Sequence, residues 1–250
     1  MKKDTSCENS ADWYNSMIMG GPSYHKDVIL PNLLRMMDIK KGELILDLAC
    51  GQGFFSQAFH KAGAKVLGSD ISKTLIDFAQ KNSPKDIAYH ISPADKLSFL
   101  KDKTVDTITI ILAIQNIENV SAVFKECARV LKDGGKIFMV MNHPAFRVPK
   151  ESEWGYDDKR KIQYRRIDQY LTESKNKIEM HPGQKGSDYT ISFHRPLQYY
   201  FKLLSGSVFA VSKFEEWISN KKSGSGPRQA AEDRARKEIP LFLCLVSIKI

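Results

Sequence analysis

Short apolar runs alternate with segments of helical periodicity through the first 142 residues, and that alternation sets the expected fold. Strands are predicted near 43–48, 65–70, 87–91, 105–112 and 136–142. The first four are rich in Ile, Leu, Val and Thr, and several are continuously apolar, as central parallel strands covered on both faces are. Helical spacing falls near 54–62, 72–81 and 119–131, with an earlier amphipathic helix over 26–37 that carries Pro31 near its start. Ser72 is a suitable N-cap, and Asp133-Gly134-Gly135 supplies the glycine expected to close helix 119–131. This βαβ alternation predicts an α/β fold with a doubly wound parallel sheet.

Beyond residue 142 the alternation stops. Residues 157–171 form a charged, helix-like run in which Tyr164, Ile167 and Leu171 recur at core spacing. Two alternating stretches, 176–181 and 188–194, are separated by Pro182-Gly183 and Gly186 and predict a β-hairpin. A helix is expected from Arg195, with Pro196 at its first position and Leu197, Tyr200, Phe201 and Leu204 on one face. Strands at 207–214 and 240–250 finish the chain, joined by a Ser-Gly-Ser-Gly-Pro segment and a polar helix near 228–238.

Length and composition narrow the class. The 250 residues suit a single domain, 1–250, with an inserted lid. A chain of this size buries roughly 70–75% of its unfolded surface, so a stabilising metal or disulfide is not required. Cys7, Cys50, Cys127 and Cys244 form no CxxC pair and no metal-ligand spacing with histidine, which reads as reduced thiols in a cytoplasmic protein. No apolar stretch follows the N-terminal lysines as in a secretory signal, and none approaches the length of a membrane span. The sequence carries no signature of an oligomeric state. The net charge of +9 is uneven: residues 1–142 hold 18 Lys and Arg against 16 Asp and Glu, and residues 143–250 hold 20 against 13. A basic second half is a solvated face or a surface for an acidic or nucleic-acid partner.

The densest chemistry lies at residues 44–53, where an apolar run ends in Asp47 and turns through Gly51 and Gly53 into a helix. Such a turn lets backbone touch a ligand. The dinucleotide fingerprint G-x-G-x-x-G needs a third glycine, but that position is Ser56 counting from Gly51 and Phe54 counting from Ala49. The spacing present, Asp47-x-Ala49-x-Gly51-x-Gly53, resembles motif I of the class I S-adenosylmethionine-dependent methyltransferases, with Ala49 in place of the usual first glycine. The resemblance covers nearly the whole chain. It implies a Rossmann-like seven-stranded sheet whose last strand is inserted antiparallel, and a substrate lid, residues 144–195, after the fifth strand.

The same resemblance implies a cofactor site for S-adenosylmethionine. The glycine turn admits the aminocarboxypropyl arm and ribose, and Asp47 faces the ammonium group directly or through water. Asp70, 17 positions after Gly53, accepts the ribose hydroxyls, and Ile71 packs on the adenine. Asp95, with Ala94 before it, accepts the adenine amino group, while Leu112 and Ala113 pass beside the sulfonium. Tyr14, Tyr24 and His25 lie in a region that closes over the cofactor in relatives, with aromatic packing the alternative. No metal is expected.

Acceptor candidates are more scattered. Gln115 follows the fourth strand, at a place where many relatives carry histidine. His143 emerges from a central strand and is the candidate catalytic base, the alternative being a histidine hydrogen-bonded within the lid's start. Asn142-His143-Pro144-Ala145-Phe146 superficially resembles the Asn-Pro-Pro-Phe motif of base-methylating enzymes but follows the wrong strand. His194 and Arg195 could face an acidic substrate or begin a helix. In the lid, Trp154, Tyr156, Tyr164, Arg165, Arg166 and Tyr170 offer stacking and charge; Tyr164 reads as packing, and Arg165 and Arg166 as facing ligand or solvent. The leading expectation is methylation of an O, N or C atom of an aromatic or anionic small molecule. The alternatives are an RNA methyltransferase using the basic second half, and a non-catalytic protein that binds S-adenosylmethionine.

Overall fold

A computed structural model describes residues 23–179 and 189–250. Eleven strands are present among them: β1 Leu44–Leu48, β2 Lys65–Asp70, β3 Ala88–Ile91, β4 Val105–Ile111, β5 Leu131–Asn142, β6 Ser152–Asp157, β7 Ile162–Ile167, β8 Ser174–Glu179, β9 Tyr189–His194, β10 Phe209–Trp217 and β11 Phe242–Lys249. The helices are α1 Leu30–Met37, α2 Phe54–Lys61, α3 Lys73–Asn82, α4 Val120–Val130, α5 Leu197–Ser205 and α6 Gln229–Glu238. A π-helical turn, His25–Ile29, leads into α1.

Seven strands form one sheet in the order β10-β11-β5-β4-β1-β2-β3. β1 to β5 run parallel, and β11 inserts antiparallel between β5 and β10. One face is covered by the π turn, α1, α2 and α3, through Ile29, Leu33, Phe55, Phe59 and Ile76. The other is covered by α4 and α5, through Val123, Phe124, Cys127, Tyr200 and Leu204. Both faces being dry explains why β1 is apolar at all but Asp47 and why β4 is buried at all but Asp106. No helix among the described residues is long and apolar enough to cross a membrane.

The expected elements up to residue 142 are present, with one change at the end of α4. Leu131 is already extended there, so no glycine closes the helix. Gly134, at φ +74°, instead lies where the β4–β5 ladder slips between Val105 and Thr107. Ser72 caps α3 as expected, accepting the Leu75 N–H.

The larger correction concerns residues 157–171, which are not helical. They complete a β6–β7 hairpin, pairing Trp154 with Arg165 and Gly155 with Tyr164. Asp157 turns the chain by accepting the Lys159 and Arg160 N–H groups at 2.9 and 3.0 Å, and this Asx geometry defeats the helical spacing. Tyr164 is not a core residue; it is largely exposed and lies flat over Gly155, where a Cβ would come within 2.3 Å of its ring. Leu171 is also exposed. The expected hairpin exists as β8–β9; its turn, with Pro182, Gly183 and Gly186, lies outside the described residues, as do Cys7 and Tyr14. The first hairpin rests on α6, and β9 rests on the short 3₁₀ turn Ile114–Asn116 that follows β4.

Candidate active site

The cleft opens at the carboxyl ends of β1 and β4, adjacent strands whose connections leave in opposite directions, which is where open α/β sheets bind ligands. Its lining is His25, Asp47, Ala49, Cys50, Gly51, Gln52, Phe54, Phe55 and Ile111. The backbone is unusual on both sides. Ala49 has φ +59° just past β1, and Leu112 has φ +54° just past β4. Left-handed backbone at two non-glycine residues flanking one cleft is stored strain, the kind found beside ligand sites.

The glycine turn is held from three directions. Cys50 N–H donates to Ser69 O at 2.9 Å, Gly53 N–H to Cys50 O at 3.0 Å, and Gly51 N–H to Asp70 Oδ2 at 3.0 Å. Gly51, at φ +56°, faces open space, with no atom within 4 Å of where a Cβ would stand. Gly53, at φ +79°, lies under Tyr89, whose hydroxyl would be 2.3 Å from an added Cβ. The two glycines therefore serve different needs, an open cradle and a close packing contact.

Asp47 is 2% exposed, and both its oxygens are engaged: Oδ2 accepts from Ser56 Oγ at 2.6 Å and Oδ1 from Thr109 Oγ1 at 2.9 Å. Burial pushes its carboxyl up to about 6 against the pull of those hydroxyls. His25 is buried between Phe54 and Phe55, and burial lowers it to about 4. The acid and the histidine line one cleft.

Asp70 ends β2 with Oδ1 accepting Ser72 N–H at 2.9 Å, and burial raises its pKa. Ile71, behind it, is an apolar side chain left 38% exposed. Ser92 N–H donates to Asp70 O at 2.8 Å, which brings the turn holding Ala94 and Asp95 beside Asp70. Tyr24 points elsewhere: its hydroxyl lies 3.0 Å from Ser219 Oγ and its ring meets Phe242 edge-on. Gln115 Nε2 donates to Leu112 O at 3.1 Å, and its buried Oε1 has no partner among the described residues. Ala113 is half-buried beside them.

The remaining acceptor candidates are engaged within the protein. His143 is 1% exposed; Nε2 meets Glu216 Oε1 at 2.7 Å, and Nδ1 accepts Ala145 N–H at 3.2 Å. With both ring nitrogens used, neither is presented to a substrate as a base. Its pKa is lowered by burial, against the pull of Glu216. His194 Nε2 donates to Tyr170 O at 2.8 Å. Arg195 lies between Phe193 and Tyr199 and donates Nη2 to Glu118 O at 2.7 Å, while its buried Nη1 lacks a partner among the described residues. Arg165 donates to Phe146 O and Ser152, and Arg166 pairs with Glu153 and Asp168. Sequence reasoning missed Gln52, Phe54, Phe55 and Ile111 as lining residues, and it missed Arg147 and Arg236 below. Among the described residues, no group of three or more His, Cys, Asp or Glu is placed to hold a metal ion.

A family model described as a methyltransferase domain matches residues 46–139, from β1 into β5. The crystal structure of an S-adenosylmethionine-dependent methyltransferase from Mesorhizobium loti superposes with a TM-score of 0.73 at 26% identity, covering 91% of this chain and 100% of that one. An uncharacterized protein of Haemophilus influenzae is 29% identical over 177 residues, which are 67% of this chain and 69% of its own length. A ubiquinone biosynthesis O-methyltransferase of Coxiella burnetii is 30% identical over 131 residues, 51% of this chain; the match spans about half, 55%, of that enzyme.

Proposed function

The chain belongs to the class I S-adenosylmethionine-dependent methyltransferases, and on that footing we propose that it methylates an oxygen, nitrogen or carbon atom of a small-molecule acceptor. The observation that carries this reading is the open cradle over Gly51 between two left-handed non-glycine residues, Ala49 and Leu112. The cofactor fits the residues present. Ala49, Gly51 and Gly53 would hold the amino-acid arm, Asp70 the ribose hydroxyls, Ile71, Ala94 and Asp95 the adenine, and Leu112 and Ala113 the region of the sulfonium. Tyr24 bounds the same end of the sheet through Phe242. When bound, S-adenosylmethionine supplies an electrophilic methyl group on sulfur.

The protein's own contribution is alignment and exclusion of water, the larger share of an in-line displacement. Asp47 carries out no proton transfer, since Ser56 and Thr109 occupy it; it fixes the turn. Residues 144–195 act as the acceptor lid, its first hairpin seated on α6 and its second against Ile114–Asn116. The Coxiella relative acts in ubiquinone biosynthesis as an O-methyltransferase, which favours a small acceptor here. The RNA reading loses support because the exposed Arg166 is paired with Glu153 and Asp168 rather than left open to phosphate. Titration calorimetry with S-adenosylmethionine and with NADH tests the cofactor. Binding of the first and not the second is expected; binding of NADH alone overturns the reading.

A further inference from the structure

Between the first lid hairpin and α6 lies a recess lined by Trp154, Gln163, Glu232 and Arg236. Arg147 and Arg165 both sit over the Trp154 ring, their guanidinium carbons 6.0 and 5.2 Å from its centroid. Arg165 is fixed in place, its Nε donating to Phe146 O at 2.9 Å and its Nη2 to Ser152 Oγ at 2.8 Å. Arg147 is not. Its Nε is buried without a hydrogen-bond partner among the described residues. Burial, with Arg165 and Arg236 close by, lowers its pKa to about 10.

Three guanidiniums thus neighbour one another where Glu232 is the carboxylate lining the recess; Arg236 Nε donates to Ser223 Oγ at 3.2 Å with Asp233 close by, and Glu153 lies near Arg165 but is paired with Arg166. A buried, unpaired donor on a repelled cation is costly, and a bound anion removes both penalties at once. A chain of neighbouring residues links the recess to the cleft. Tyr24, a neighbour of Arg147, packs on Phe242, the register partner of Asn142 at the end of β5. The next residue, His25, lines the glycine-turn cleft.

We propose that Arg147, Arg165 and Arg236, with Trp154 as a stacking surface, form an anion subsite that takes the carboxylate or phosphate group of the methyl acceptor. This rests on the methyl-transfer reading above. A planar guanidinium grips either oxyanion in a two-bond fork, so both groups share the chemistry.

The test titrates benzoate, phenyl phosphate and neutral benzamide into the full chain, and S-adenosylhomocysteine in parallel. At least one anion is expected to bind at least about tenfold more tightly than benzamide, and the better anion names the group. Arg147→Gln should cost that anion about tenfold or more while S-adenosylhomocysteine affinity stays within about twofold. Should Arg147→Gln fail to fold, the half-exposed Arg236→Gln decides by the same comparison. Equal affinity for benzamide, or anion affinity unchanged in both variants, overturns the subsite. Anion binding without S-adenosylhomocysteine binding leaves the subsite standing and overturns methyl transfer.

Discussion

Ser56 Oγ donates to Asp47 Oδ2 at 2.6 Å, and both residues are sealed from solvent. The position that breaks the dinucleotide fingerprint is therefore the one that ties α2 back to the end of β1. Ser56→Ala leaves an acceptor on a buried carboxylate unsatisfied, which costs about 1–3 kcal/mol. Urea unfolding at neutral pH should report a loss in that range, together with weaker S-adenosylhomocysteine binding as the turn loosens. Unchanged stability would mean that the hydroxyl does not hold the turn.

Asp47 and His25 give opposite pH slopes from one cleft. Asp47, raised to about 6, contributes stability that is present below its unfolded value near 4 and lost as pH rises through 6. His25, lowered to about 4, contributes stability that is present above its unfolded value near 6.5 and lost as pH falls through 4. Unfolding curves between pH 4 and 6.5 should therefore be flatter for the natural chain than for either variant. Asp47→Asn should become more stable as pH rises over this range, and His25→Phe less stable. Slopes of the same sign in both variants would refute the assignment.

Gly51 and Gly53 should respond differently to alanine. Each substitution places an L side chain in left-handed backbone, at about 1–2 kcal/mol. At Gly53 the new methyl also meets the Tyr89 hydroxyl, itself 2.9 Å from Ser83 Oγ, and overpacking adds about 1–3 kcal/mol. Calorimetric melting should rank Gly53→Ala well below Gly51→Ala. Gly51→Ala should keep most of its stability and lose cofactor affinity, because its methyl fills the cradle. Full cofactor affinity in Gly51→Ala would place the ligand elsewhere.

Asp70 serves the turn and the proposed ribose contact together. Asp70→Ala should weaken S-adenosylmethionine binding by about 1.5–3 kcal/mol, the range for charge-assisted hydrogen bonds, as measured by titration calorimetry. Asp70→Asn keeps one acceptor oxygen and should fall between. Natural affinity in both variants removes the residue from the site.

His143 should behave as a strut between β10 and the segment that follows β5. His143→Gln should cost about 1–3 kcal/mol in urea unfolding through its partner Glu216, yet leave the shape of the kcat/KM against pH profile unchanged. Disappearance of one limb of that profile would restore the histidine as a base.

The parallel half was legible because each of its elements obeys a local rule. β1 reads as an apolar run, β4 as a run rich in β-branched residues, Ser72 as a cap, and Asp70 as a strand-end acid; local and tertiary preferences agree there. The stretch between β5 and α5 was legible only in part. Residues 157–171 carry helical spacing, but the Asp157 turn and the Tyr164–Gly155 pair are cross-strand matters that periodicity does not weigh. His143 looked available because Glu216, 73 positions later, cannot be foreseen as its partner. Arg236 lay hidden in a polar helix for the same reason: what makes it notable is the company of Trp154, far away in sequence.

That separation divides the molecule in time as well as in space. The strands and turns holding Asp47, Gly51, Asp70 and Leu112 lie within one stretch of about 70 residues, whereas the bed of the first hairpin, α6, starts only at Gln229. As the chain emerges from its N-terminal side, the proposed cofactor wall can assemble early, while the proposed acceptor wall must wait for a helix made more than 100 residues later. A chain part-way through synthesis would carry the proposed cofactor face without the recess proposed to take the acceptor's anionic group.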